Sequence, residues 1–153
     1  MRAVVGSNNR VVGGKPAGRF SVEFEIANND DLALVRRGVL PADQVRRQTI
    51  SGVVDPGAAM LVLPKTIVKE LGLRLGRKIR VRYADGRRAQ RQEAKEVHVE
   101  LLGRDATFDA LIEPKRDTAL IGAIVLEALD LLVDSRRSRL IPRDPEGPFY
   151  EIE

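Results

Sequence analysis

Between Arg19 and Asn28 the chain alternates, with Phe20, Val22, Phe24 and Ile26 separated by Ser21, Glu23 and Glu25. A period of two is that of a strand with one face on a core. Asn28-Asn29-Asp30 then predicts a turn. Asp30 or Asp31 is placed to cap a short helix through Leu34 and Val35 to Gly38, and Pro41 stops that helix from continuing. Val45 to Val54 favours extended geometry, is interrupted by Asp55-Pro56-Gly57, and is followed by the apolar stretch Ala58 to Leu63. Pro64 opens a short helix with Ile67, Val68 and Leu71 on one face, and Gly72 closes it.

Further on, Ile79 to Tyr83 and the segment after Arg87 read as two arms of a hairpin around Asp85-Gly86. A second strand pair is expected over Glu96 to Leu102 and Thr107 to Ile112, joined near Gly103-Arg104. Ala119-Leu120-Ile121 predicts a short, wholly apolar strand ending at Gly122. Beyond it Ile124, Val125, Ala128 and Leu129 follow helical spacing. Leu131 to Val133 and Arg139 to Ile141 suggest a last hairpin, and Phe149 to Ile152 a terminal strand. Many short strands with two or three short helices predict a mostly β domain, barrel-like or folded. Residues 1–18, rich in Gly, Asn and basic residues and without a period, read as a flexible tail.

Composition narrows the chemistry. At 153 residues the chain is one domain of ordinary size, and with aromatics at 4% its core must be built from Val, Leu, Ile and Ala. It has no cysteine and one histidine, which removes thiol nucleophiles, disulfides and zinc hydrolysis from consideration, so no metal or cofactor is expected. That histidine, in Val97-His98-Val99, faces away from its apolar neighbours and reads as a surface or edge residue. After Met1-Arg2 the apolar stretch Ala3-Val4-Val5 is too short for a signal-peptide core, and Ala119 to Leu126 is well short of the ~20 residues of a membrane span. A cytoplasmic protein with no membrane partner is the expectation.

The net charge of +4 matters less than its distribution. Arg74, Arg77, Lys78, Arg80, Arg82, Arg87, Arg88 and Arg91 stand against Asp85 alone within that run. Such a run is either a solvated basic hairpin or a surface that attracts nucleic acid by counterion release. Only Tyr83 offers a stacking ring there and no nucleic-acid motif accompanies it, so a nucleic-acid partner is not expected.

One carboxylate stands apart. Asp55 sits at a tight turn between two apolar stretches, a place where a rigid loop can present it for acid–base work on a water molecule. Asp-Pro-Gly is also ordinary turn chemistry, with Pro preset for the second position and Gly free to follow. The residues around it decide between these readings. Val53-Val54-Asp55-Pro56-Gly57-Ala58 resembles the active-site loop of the retropepsin-like aspartic proteases of clan AA, the retroviral type, in its bacterial group. That loop reads two hydrophobic residues, Asp, Thr or Ser, Gly, Ala. Leu120-Ile121-Gly122 and the helix to Leu129 resemble the family's second hallmark. Between them, in the same order, the hairpin Tyr83-Ala84-Asp85-Gly86-Arg87 resembles the flap. The similarity runs from about Arg19 to the C-terminus.

The resemblance implies a retropepsin-like closed or folded β-barrel over residues 19–153, working as a homodimer on a peptide or protein substrate. Asp55 would be the catalytic residue on a loop completed by Pro56, Gly57 and Ala58. Tyr83 to Arg87 would cover the substrate, and Leu120, Ile121 and Gly122 would support the loop. Since Asp55-Pro56-Gly57 is the only Asp-x-Gly in the chain, two copies would each lend one Asp55, and the pair would share a proton. One position departs from the pattern: Pro56 stands where the family has Thr or Ser, and proline supplies neither hydroxyl nor N–H to brace the two loops. A peptide-binding module of the same fold, with weak or no activity, is therefore the second reading.

Overall fold

Nine strands and three short α-helices make up residues 19–153, which the computed structural model describes; the tail expected over 1–18 lies outside them. The first alternating segment is β1 (Phe20–Asn28), and β2 (Arg47–Val54) pairs with it antiparallel from Phe20↔Val54 to Ala27↔Arg47. Then come β3 (Leu61–Pro64), β4 (Leu75–Arg82), β5 (Arg88–Leu101), β6 (Arg104–Glu113) and β7 (Ala119–Ile121). The sheet runs β1-β2-β7-β3-β6-β5 and returns to β1 through a β1–β5 pairing. Six strands thus close into a barrel, while β4 hangs outside on β5. The fold is mostly β, as the patterning predicts.

Closure depends on an irregularity the sequence hides. The arm after Arg87 and the strand beginning at Glu96 are one long strand, β5, with a register shift between Ala94 and Val97. Glu96 takes a positive φ of 58° there, a conformation uncommon for a residue with a side chain. On one side β5 pairs with β6 from Glu93 to Leu101, on both sides of the bulge. On the other it pairs with β4 up to Ala94 and with β1 from Val97. The bulge therefore divides the strand into a barrel half and a hairpin half.

Helix α1 (Asn29–Arg36) starts earlier than expected. Its cap is Asn28, whose side chain accepts from the Asp31 N–H at 3.1 Å. Asp31 instead receives the backbone N–H, Nε and Nη2 of Arg46 at 2.9–3.0 Å, tying the helix to the entry of β2. Helix α2 (Lys65–Glu70) follows Pro64, and α3 (Ala123–Leu129) follows Gly122. The segment Phe149 to Ile152 is not a strand. It carries no regular structure, and the Phe149 N–H goes to Asp130 at 3.0 Å. The hairpin β8–β9 (Leu131–Asp134 and Arg139–Pro142) forms a separate two-stranded sheet. His98 is half-buried on the central strand β5, not at an edge, with Nε2 2.8 Å from Asp105.

The core is aliphatic, as the scarcity of aromatics requires. Ile26, Val54, Leu61, Leu63, Val97, Val99, Ile121 and Val125 are wholly buried, and Phe20, Phe24 and Phe108 are buried in the same cluster. Burial of each such side chain is worth about 1.5–3 kcal/mol. Val54 and Leu61 bracket the Asp55 loop, so the loop leaves and re-enters the barrel at two fully buried anchors.

Candidate functional site

The Asp55 loop is held by a strand inserted between its own two ends. β7 lies parallel to β2, with Val53↔Leu120 and Val54↔Ile121, and antiparallel to β3 through Val62↔Leu120. Strands consecutive around the loop are thus separated in space by a third strand from much later in the chain. The Asp55 N–H continues the β2–β7 ladder by donating to the Ile121 carbonyl at 3.0 Å.

Within the loop, the Ala58 N–H donates to the Asp55 carbonyl at 3.0 Å, closing a four-residue turn with Pro56 in its second position. The Gly57 N–H donates to Asp55 Oδ1 at 3.0 Å. Beyond the turn, the carbonyls of Ala58 and Ala59 accept from the N–H groups of Ala123 and Ile124 at 2.8 and 3.0 Å. These donors belong to the first turn of α3, where backbone N–H groups have no partner within the helix. The loop supplies the cap that Gly122, having no side chain, cannot.

Leu120, Ile121 and Gly122 therefore lie directly against the loop. Gly122 is needed for its size: a β-carbon there would stand 2.7 Å from the Ala58 carbonyl oxygen and 2.4 Å from that of Met60. Pro56 and Gly57 are exposed at the loop's tip, and the Asp55 side chain is 20% exposed.

Asp55 has a partner the sequence does not announce. Arg19 Nη2 donates to Asp55 Oδ2 at 2.9 Å, and Arg19 Nε is buried without a hydrogen-bond partner among the described residues. Its position becomes legible only through strand register: since Phe20 is opposite Val54, the preceding residue arrives opposite Asp55.

The expected flap forms the tip of the β4–β5 hairpin. Tyr83 N–H donates to the Arg87 carbonyl at 2.8 Å and Gly86 N–H to the Tyr83 carbonyl at 2.9 Å. Gly86 takes a φ of 89°, which glycine adopts freely. Asp85 accepts from the backbone N–H and Nε of Arg87, whose guanidinium lies over the Tyr83 ring at 4.7 Å. Ala84 is exposed at the apex. The anchor of the hairpin is Glu113, at the end of β6, which receives the Tyr83 hydroxyl at 2.5 Å and Arg91 Nε at 3.1 Å. The hydrogen bond to Glu113 raises the Tyr83 pKa, and burial adds to it. Glu113 pairs with Pro64, whereas the Asp55 loop adjoins Leu61 at the other end of β3. The two expected halves of the site thus lie at opposite ends of one short strand.

The basic run is less bare than it reads in sequence. Arg74 meets Asp30 at 2.7 Å, Arg77 meets Glu93 at 3.5 Å, and Arg91 meets Glu113. A groove of about 490 Å³ lies between α2 and the hairpin, with Lys65, Lys69, Lys78 and Arg91 on its walls. No residue of the Asp55 loop lines it.

Fold and site together define a mostly β closed barrel carrying one carboxylate on a loop braced by an inserted strand and a helix. Among solved structures, the EIAV protease in complex with the inhibitor HBY-793 is similar over 52% of this chain and 76% of its own, at 19% identity and a TM-score of 0.43. A likeness of that size is no measure of shared chemistry. No protein-family profile and no characterised sequence matches the chain.

Proposed function

We propose that the chain is an aspartic endopeptidase that works as a homodimer, with a water molecule activated between two Asp55 carboxylates. The observation carrying this reading is the mounting of Asp55. Its carboxylate emerges from a loop whose two ends, Val54 and Leu61, are wholly buried and whose backbone is bonded to both β7 and α3. Such a mounting holds a side chain to a fixed geometry. One chain offers one such carboxylate, so the chemistry requires a second copy. The exposed Pro56 and Gly57 lie on the same loop as Ala59, whose carbonyl holds the N–H of the 46%-exposed Ile124. Together they give a small, partly apolar face suited to meeting its counterpart across a two-fold axis.

In that dimer the ionised Asp55 takes a proton from water as the oxygen attacks the scissile carbonyl, while the protonated Asp55 donates to the carbonyl oxygen. The hairpin tip from Tyr83 to Arg87 covers the extended peptide and keeps bulk water out. The test is digestion of a peptide library between pH 3 and 7. Cleavage that disappears in Asp55→Asn supports the reading, and cleavage that persists in that variant overturns it.

A second reading has its own observation. Pro56 presents neither an N–H nor a hydroxyl to a partner loop, which favours a module that holds peptides without cutting them. Peptide binding that survives Asp55→Asn, with no turnover by the unaltered protein at any pH, would select it.

A further inference from the structure

We infer that Arg19 is a reversible latch on Asp55, occupying the carboxylate oxygen that has to be free before two Asp55 side chains can work as a pair. The inference rests on the endopeptidase reading of the Asp55 site and adds a control to it.

Both carboxylate oxygens already have donors within one chain. Oδ1 receives the Gly57 N–H at 3.0 Å, a bond internal to the loop, and Oδ2 receives Arg19 Nη2 at 2.9 Å. The first can persist in any assembly. The second cannot persist on both members of a pair that shares a proton. A guanidinium stays charged throughout and pairs with a carboxylate in its ionised form, whereas a pair sharing one proton needs one member neutral. A water molecule or a partner carboxylate approaching Oδ2 also meets the guanidinium already there.

The contact is built into the fold, yet it is weaker than a structural ion pair. The β1–β2 register delivers Arg19 opposite Asp55, directly beyond the Phe20↔Val54 rung. A different arginine shows what a permanent pair looks like here: Arg46 gives Asp31 its Nε, its Nη2 and its backbone N–H. Arg19 gives Asp55 one N–H, and its Nε is buried with no acceptor among the described residues. An unmade bond of that kind costs free energy that is regained when the group reaches solvent or another acceptor. The Arg19 side chain is 41% exposed, so a route outward is open. A single-pronged, half-exposed contact on the one carboxylate assigned to chemistry is a contact that can be exchanged.

The experiment compares the full chain with Arg19→Gln and Arg19→Lys by esterification with a small epoxide. In that reaction a carboxylate oxygen bonds to the epoxide carbon as the ring C–O bond breaks, and the resulting alkoxide takes a proton from water. Peptide mass spectrometry reads the rate at Asp55 against Asp43, an exposed carboxylate on another element. Arg19→Gln is expected to raise the Asp55/Asp43 ratio about tenfold, the factor of one charge-assisted hydrogen bond, and to raise peptide cleavage with it. Arg19→Lys, which keeps the charge, stays near the unaltered protein. High salt, which screens a half-exposed pair, raises the same ratio in the unaltered chain and needs no variant to fold. A raised ratio without any cleavage keeps the latch and removes the endopeptidase. A ratio unchanged in both Arg19→Gln and high salt overturns the latch, whatever the cleavage result.

Discussion

Gly122 stands so close to Met60 that a β-carbon on it would lie 2.4 Å from the Met60 carbonyl oxygen and 2.8 Å from its nitrogen. Both are backbone atoms, so no side-chain rotation can relieve the clash. The glycine is where the return strand, the helix and the Asp55 loop converge.

Gly122→Ala is accordingly expected to destabilise the protein by about 1–3 kcal/mol, the cost of forcing atoms into a filled site. Chemical denaturation measures this directly. A variant as stable as the parent would mean that the loop gives way easily and that Asp55 is not rigidly mounted.

The Asp31–Arg46 pair sets a dependence on acidity. The side-chain hydrogen bond from Arg46 holds the Asp31 carboxyl below the usual carboxylate range. A folded-state value below the unfolded one means that the stabilisation is fully present above the unfolded value, near pH 4. It is lost as pH falls from there through the lowered folded value. Asp31→Asn is expected to cost about 2 kcal/mol at pH 7 and to flatten the acid limb of the stability curve. Urea melts from pH 2 to 7 on both proteins test this, and parallel curves would refute it.

Tyr83 reports on the hairpin anchor. Its hydrogen bond to Glu113 raises its pKa, so its phenolate forms at a higher pH than in free tyrosine. Ultraviolet titration of a Tyr150→Phe background isolates the signal. Glu113→Gln should move the midpoint down toward the ordinary value. An unmoved midpoint would show that the tip is not tied to β6.

Pro56 can be tested by restoring what it lacks. Pro56→Thr supplies an N–H and a hydroxyl at the exposed tip of the loop. A tighter dimer by sedimentation, and cleavage increased about tenfold for each ~1.4 kcal/mol gained, are the expected results. Loss of dimer in this variant would count against pairing through this loop.

The alternation of Phe20 to Ile26, the turn at Asp55-Pro56-Gly57, the Asp85-Gly86 hairpin and the apolar Ala119-Leu120-Ile121 were all determined by local order, because period, turn chemistry and run length are properties of neighbours along the chain. Tertiary structure alone decided the rest. It inserted β7 between β2 and β3, switched β5 from β4 to β1 at the Glu96 bulge, brought Asp30 and Glu113 to the basic run, and laid Arg19 on Asp55. Each of these pairs residues distant in sequence, and strand register, which no single segment encodes, sets the partners.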